Sequence, residues 1–134
     1  MLSVDDILAL NPCPPFNQRS TCEEYYGARS ECGINDFLEM NIKDDQKIFV
    51  ILRGNLVSQS IQESLKAVYL SRINKMRAPR LWREANVGDC AVAAHAAQLH
   101  ASQVFGASSK FQRQEAINNE AAWQLQKLLE AINV

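Results

Sequence analysis

QKIFVILR, residues 46–53, carries five apolar residues in succession, Ile48, Phe49, Val50, Ile51 and Leu52. A short run of β-branched and aromatic residues fits a buried strand or a buried helix equally well, so its flanks have to decide. Asp44 precedes it at a helix-capping distance, and Gly54 and Asn55 follow it as stop signals. Those flanks predict a buried helix over 46–53. With this stretch helical, no segment of the chain shows sustained alternation between hairpin turns, and the expected class is all-α.

Outward from that stretch, helix signals recur in both directions. Toward the N-terminus, Asn35–Asn41 reads as a brief helix with Phe37, Leu38 and Met40 apolar. Thr21 and Glu24 have capping-box spacing before Tyr25 and Tyr26, and Gly27 or Gly33 can end the turns they open. Ser3 caps a short helix through Leu10, which Asn11–Pro15, with three prolines in four residues, brings to an end. Toward the C-terminus, Ser60 and Glu63 form a capping box opening a helix to about Met76. Its residues Ile61, Leu65, Val68, Tyr69, Ile73 and Met76 gather on one face at spacings of three and four. A short helix follows around Leu81–Ala85. Cys90–Phe105 is rich in alanine and allows close helix approach, with Gly106 as its stop. Ser109 and Gln112 open a last helix to about Ile132 with Phe111, Trp123, Leu128, Leu129 and Ile132 as core. The length of 134 residues suits one compact domain, residues 1–134, built as a bundle of about five to seven helices.

Charge is distributed unevenly along this chain. Residues 1–45 hold nine acids and three bases, a balance of −6, whereas residues 46–134 hold six acids and eleven bases, a balance of +5. The densest basic stretch is Arg72, Lys75, Arg77, Arg80 and Arg83. Such a field favours docking to a charged partner. No apolar run approaches the length of a membrane span, and the acids at Asp5 and Asp6 replace the bases of a secretory signal, so a cytoplasmic protein without membrane attachment is expected. The four cysteines then read as reduced thiols.

Chemistry-bearing residues are present in patterns that do not assemble a site. Cys13, Cys22, Cys32, Cys90, His95 and His100 are possible zinc ligands, yet the cysteines lie nine, ten and fifty-eight positions apart instead of two to four. The two histidines, five apart on one helix, diverge by about 140°. Cys90 beside His95 or His100 lacks the orienting group and glycine-rich turn of a thiol nucleophile. The pairs Asp5/Asp6, Glu23/Glu24 and Asp44/Asp45 are adjacent, so their side chains diverge and serve helix starts. No phosphate loop or dinucleotide fingerprint occurs. The expectation is a protein without catalysis, metal or cofactor.

Leu8, Leu10, Pro12 and Cys13, followed by Phe37, Leu38, Met40 and Ile42 and by Lys47–Arg53 with Leu56, resemble a family of small helical phage and bacterial proteins described as immunity proteins. Gln46 and Phe49 stand where that family usually has aspartate and tryptophan. The resemblance covers about the first half of the chain. It implies a non-catalytic phage or mobile-element protein, working in the host cytoplasm, that inhibits or neutralises a protein partner in an anti-defence or immunity-like role. It carries no site residues.

Residue chemistry independently favours protein contact. Interface energy concentrates in Trp, Tyr and Arg, which makes Tyr25, Tyr26, Arg72, Lys75, Arg77, Arg80, Trp82 and Arg83 the expected partner-binding residues, with Tyr25, Tyr26 and Trp82 reading equally well as core. The alternative is nucleic acid held by the basic stretch 72–83, with Trp82 stacking on bases. A whole-chain pI near 6.1 weighs against it.

Overall fold

The computed structural model describes residues 1–12, 14, 16–105 and 109–133. Cys13, Pro15 and the expected stop at Gly106 lie outside the described residues. The protein is helical, with eight helices among the described residues, one more than the upper end expected, and one pair of two-residue strands. Where one domain is expected from the length, the chain gathers into two compact units, Met1–Leu56 and Val57–Val134. The charge boundary at 45/46 falls inside a helix, so composition and structure divide the chain at different places. Counted by unit, the first holds five bases and nine acids, a balance of −4, and the second nine bases and six acids, a balance of +3.

The first unit runs β1 (Leu2–Ser3), α1 (Val4–Ala9), α2 (Arg19–Tyr26), β2 (Glu31–Cys32), α3 (Ile34–Glu39) and α4 (Asp44–Arg53). The strands pair antiparallel with Leu2 opposite Cys32, a ladder too short to leave any alternation in the sequence. The expected cap at Ser3 forms a complete box. Its Oγ accepts from the Asp6 amide at 3.1 Å, and the Ser3 amide donates to the Asp6 carboxylate at 2.9 Å. The Ser3 amide foremost, and the Ser3 hydroxyl after it, hold the Asp6 carboxyl below its ordinary value of 3.8. A depressed carboxyl stabilises the fold above that ordinary value and loses the contribution as pH falls through the folded value. Ser3→Ala, which removes the hydroxyl and keeps the amide, is expected to cost about 1 kcal/mol at neutral pH, only the part acting through the Asp6 carboxylate being lost on acidification, as measured by far-ultraviolet dichroism during urea unfolding.

Helix α2 begins at Arg19 after Gln18, with no side-chain cap, so Thr21 sits inside the helix and not at its start. Gly27, at φ 63°, ends it, a backbone region that glycine enters without a Cβ penalty. The 48–52 run is helical as expected, within α4, with Lys43 as cap and Asp44 already in the first turn. Ile48, Val50, Ile51 and Leu52 are all buried, whereas Gln46 and Phe49 are half-buried and Arg53 is exposed on the remaining side. Gly54 closes α4, where a Cβ would sit 2.6 Å from the Val50 carbonyl oxygen. The core of this unit joins Ile7, Phe16, Cys22, Tyr26 and Phe37 to these α4 residues, and the Tyr26 hydroxyl donates to the Leu2 carbonyl at 2.9 Å.

The second unit contains α5 (Gln59–Leu70), α6 (Pro79–Val87), α7 (Cys90–Phe105) and α8 (Lys110–Ile132). Helix α7 packs against α5, α6 and α8. Its alanines 91, 93, 94, 96, 97 and 101 are buried, and its exposed positions are His95 and Leu99 along one stripe and Gln103, Val104 and Phe105 in its last turn. Small side chains let three neighbours approach one helix, as the alanine content predicts. Two expectations fail here. Ser58, not Ser60, caps α5, accepting from the Ile61 amide, and α5 ends at Leu70, so Met76 leaves the apolar stripe. Ser109 caps α8 and Leu128 is buried as expected, yet the rest of its core face is Ala116, Glu120, Ala121 and Gln124. Phe111, in the first turn of α8, is 76% exposed, and Trp123, Leu129 and Ile132 are half-buried.

Polar groups on that face are paired. Gln124, fully buried, donates from Nε2 to the Ala94 carbonyl and accepts at Oε1 from Gln98 Nε2, at 2.9 and 3.0 Å. The Tyr69 hydroxyl donates to the Gln124 carbonyl at 2.8 Å. These bonds join α5, α7 and α8 at the centre of the unit.

Candidate functional site

The basic stretch lies in the connecting segment 71–78 and runs into α6. Ile73 is buried and anchors the segment, after which Asn74 shapes it. The Asn74 side-chain oxygen accepts from the amides of Met76 and Arg77 at 3.0 and 3.2 Å, and its carbonyl accepts from the amides of Arg77 and Ala78. An asparagine that satisfies the following amides in this way fixes a turn. The Asn74 amide in turn donates to Nε2 of His100 on α7 at 3.3 Å. Segment 75–77 is thus presented on a tethered turn, with Met76 90% exposed. Pro79 at the first turn of α6 restarts the helix at no hydrogen-bonding cost.

Spacing on α6 then separates two faces. Leu81, Trp82 and Ala85 turn inward, while Arg80, Arg83 and Val87 are exposed, Val87 at 83%. Arg80 reaches Glu84 one turn on at 3.3 Å, a solvent-exposed pair of little energetic weight. Lys75 lies 4.2 Å above the Trp82 ring.

Of the eight expected contact residues, Lys75, Arg77, Arg80 and Arg83 are exposed along segment 75–77 and α6, which make up a basic ledge. Trp82 is half-buried beneath Lys75, which makes it a support for the ledge, and its covered ring is poorly placed for base stacking. Arg72 is diverted: its Nε and Nη2 donate to the two oxygens of Glu120 at 3.0 and 2.9 Å, and its guanidinium lies 4.1 Å over Trp123. Tyr26 is buried and committed to Leu2, which removes it as a surface contact. Tyr25 is 37% exposed, stacked on Phe16 at 5.5 Å, and both tyrosines belong to the first unit. Met76 and Val87 are absent from the expected set. Met76 was hidden by its fit to the α5 stripe, and the available signal was Asn74 followed by Pro79, which together end one helix and start another.

The candidate thiols are structural in their surroundings. Cys22, Cys32 and Cys90 are buried and unpaired with one another, and Cys22 Sγ donates to the Phe16 carbonyl. Burial, with help from the Asp89 charge, pushes the Cys90 thiol from 9.0 up to about 12. Such a shift leaves about a thousandfold less thiolate at neutral pH than an ordinary cysteine has. Iodoacetamide at pH 8 is expected to leave Cys90 unmodified in the native protein and to alkylate it in urea, read by peptide mass spectrometry. His95 is exposed and His100 buried, on different sides of α7. Among the described residues no three of His, Cys, Asp and Glu gather as a metal site, and no helix is long and apolar enough to cross a membrane.

No family model, curated protein or solved structure was found to match the chain.

Proposed function

We propose that the protein is a non-catalytic binding protein that uses the ledge of Lys75, Met76, Arg77, Arg80, Arg83 and Val87 to occupy an acidic surface of another protein. The observation that carries this reading is the exposure of Met76, between Lys75 and Arg77, and of Val87, the last residue of α6, one turn beyond Arg83 and Glu84. Large apolar side chains ringed by charge suit a protein interface, where burying them supplies energy and the cations supply steering and selectivity. Phosphate recognition needs the cations alone. The inhibitory, phage-associated role in a host cytoplasm that the immunity-like resemblance implies is the setting in which such occupation would act.

The test uses tagged wild-type protein and two variants, M76D/V87D and R77E/R80E/R83E, to capture partners from host lysate at physiological salt. One stoichiometric acidic protein is expected, bound at least tenfold more weakly by either variant. Recovery of nucleic acid that depends on the arginines and not on Met76 and Val87 would displace the reading.

A further inference from the structure

Two acid-free stretches of the chain come together at one end of the second unit. Between Glu63 and Glu84, and again between Asp89 and Glu115, the sequence holds no aspartate or glutamate. Helix α7 ends at Phe105 and α8, packed against it, begins at Lys110, so the last turn of one and the first turn of the other share that end. The connecting segment 71–78 approaches it too. The Asn74 amide bonds to His100, about 7.5 Å along α7 from Phe105, and Arg72 borders a small cleft together with Val104 and Phe105.

Apolar side chains at this end are left in water. Phe105 and Phe111 are each 76% exposed and Val104 41%. Residues 110–115, more than a full turn of α8, are exposed without a break, so the start of this helix is uncovered on every side. Among them stand Lys110 and Arg113, neither in an ion pair, with Lys75 and Arg77 on the nearby turn. Of the nearest acids, Glu120 is taken by Arg72, which leaves Glu115, one turn along α8 from Phe111.

Shape and charge select the occupant. A globular partner would need a socket that closes round a projecting helix end, and a second copy meeting this patch with its own would set Lys110 and Arg113 against themselves. A fluid bilayer fits itself around such a tip, takes phenyl groups below its headgroups and, when anionic, attracts cations near its surface. No helix among the described residues is long and apolar enough to cross a membrane, and a tip that enters only about 5–10 Å needs none. We propose that this end of the unit is a reversible docking surface for an anionic lipid bilayer. Phe105 and Phe111 enter the acyl boundary, while Lys110 and Arg113, aided by the field of Lys75 and Arg77, meet the lipid phosphates. The proposal does not rest on the occupation of a protein partner by the ledge, in which the two phenylalanines take no part.

The test is flotation of the full chain with vesicles of phosphatidylcholine alone or with about 30% phosphatidylglycerol. Half of the protein is expected to float at on the order of 1 mM anionic lipid, and neutral vesicles to bind about tenfold more weakly or less still. F105S/F111S is expected to weaken anionic binding about tenfold or more, and K110E/R113E about twentyfold or more. All four positions are exposed, so both variants are expected to keep the wild-type urea transition. If F105S/F111S does not fold, F111S alone is expected to lose about threefold or more. Capture of a protein through Met76 and Val87 is expected to survive F105S/F111S, so the two readings fail separately. The proposal is overturned by the absence of flotation with anionic vesicles, or by flotation that depends on the cations and not on the phenylalanines. A dimer seen by light scattering that F105S/F111S abolishes, without vesicle binding, overturns it as well.

Discussion

Q124L is expected to destabilise the Val57–Val134 unit by about 2–3 kcal/mol, although leucine nearly matches glutamine in volume and is far less costly to bury. The loss comes from Gln98, whose Nε2 donates to Gln124 Oε1 in the buried interior and has no substitute acceptor once that oxygen is gone. Removing both partners changes the outcome: Q98L/Q124L is expected to return to within about 1 kcal/mol of wild type, because no orphaned donor remains. The chain's two tryptophans, Trp82 and Trp123, both lie in this unit, so urea unfolding followed by tryptophan fluorescence reports it selectively. A double variant as unstable as the sum of the singles would show that the Gln98–Gln124 bond is not what the interior depends on.

The second large effect concerns Arg72 and Glu120, and it is asymmetric. Glu120 is 6% exposed and Arg72 42%, so the acid depends on the base more than the reverse. R72M strands a buried carboxylate and is expected to cost about 2–3 kcal/mol, below the usual figure for a broken buried pair because one partner is half in solvent. E120Q leaves an arginine that water and the Trp123 face still accommodate at 4.1 Å, and is expected to cost about 1 kcal/mol. R72M/E120L is expected to recover most of the R72M deficit. The same fluorescence-detected unfolding measures all three, and equal losses for R72M and E120Q would contradict the placement of Glu120 in the interior.

The sequence exposes helix type more readily than helix role. Capping serines at positions 3 and 109, the alanine content of α7 and the flanks of 48–52 announce helices through local chemistry, and local chemistry is what those signals encode. Ser60 with Glu63 misleads because Ser58 two residues earlier offers the same hydroxyl, and only packing decides which one starts the helix. On α8 the expectation assumes that large apolar residues line the core. The buried row instead passes through Glu120 and Gln124, which bonds to Arg72, Gln98 and Ala94 make tolerable and which no periodicity of apolar residues can reveal. The basic ledge is half legible: Arg77, Arg80 and Arg83 stand out by composition, whereas the diversion of Arg72 depends on a residue 48 positions away. The exposure of Met76 follows from a turn built on an asparagine side chain and a histidine from another helix.

Helix α7, enclosed by α5, α6 and α8, has a consequence for how this unit opens. Up to its exposed last turn, Gln103–Phe105, its residues are covered by neighbours on all but the stripe of His95 and Leu99, so no partial fraying of one adjacent helix uncovers its central amides. In deuterium the amides of Ala93, Ala94 and Ala97 should be the last of the unit to exchange, at the rate of complete unfolding, while the exposed first turn of α8 exchanges early.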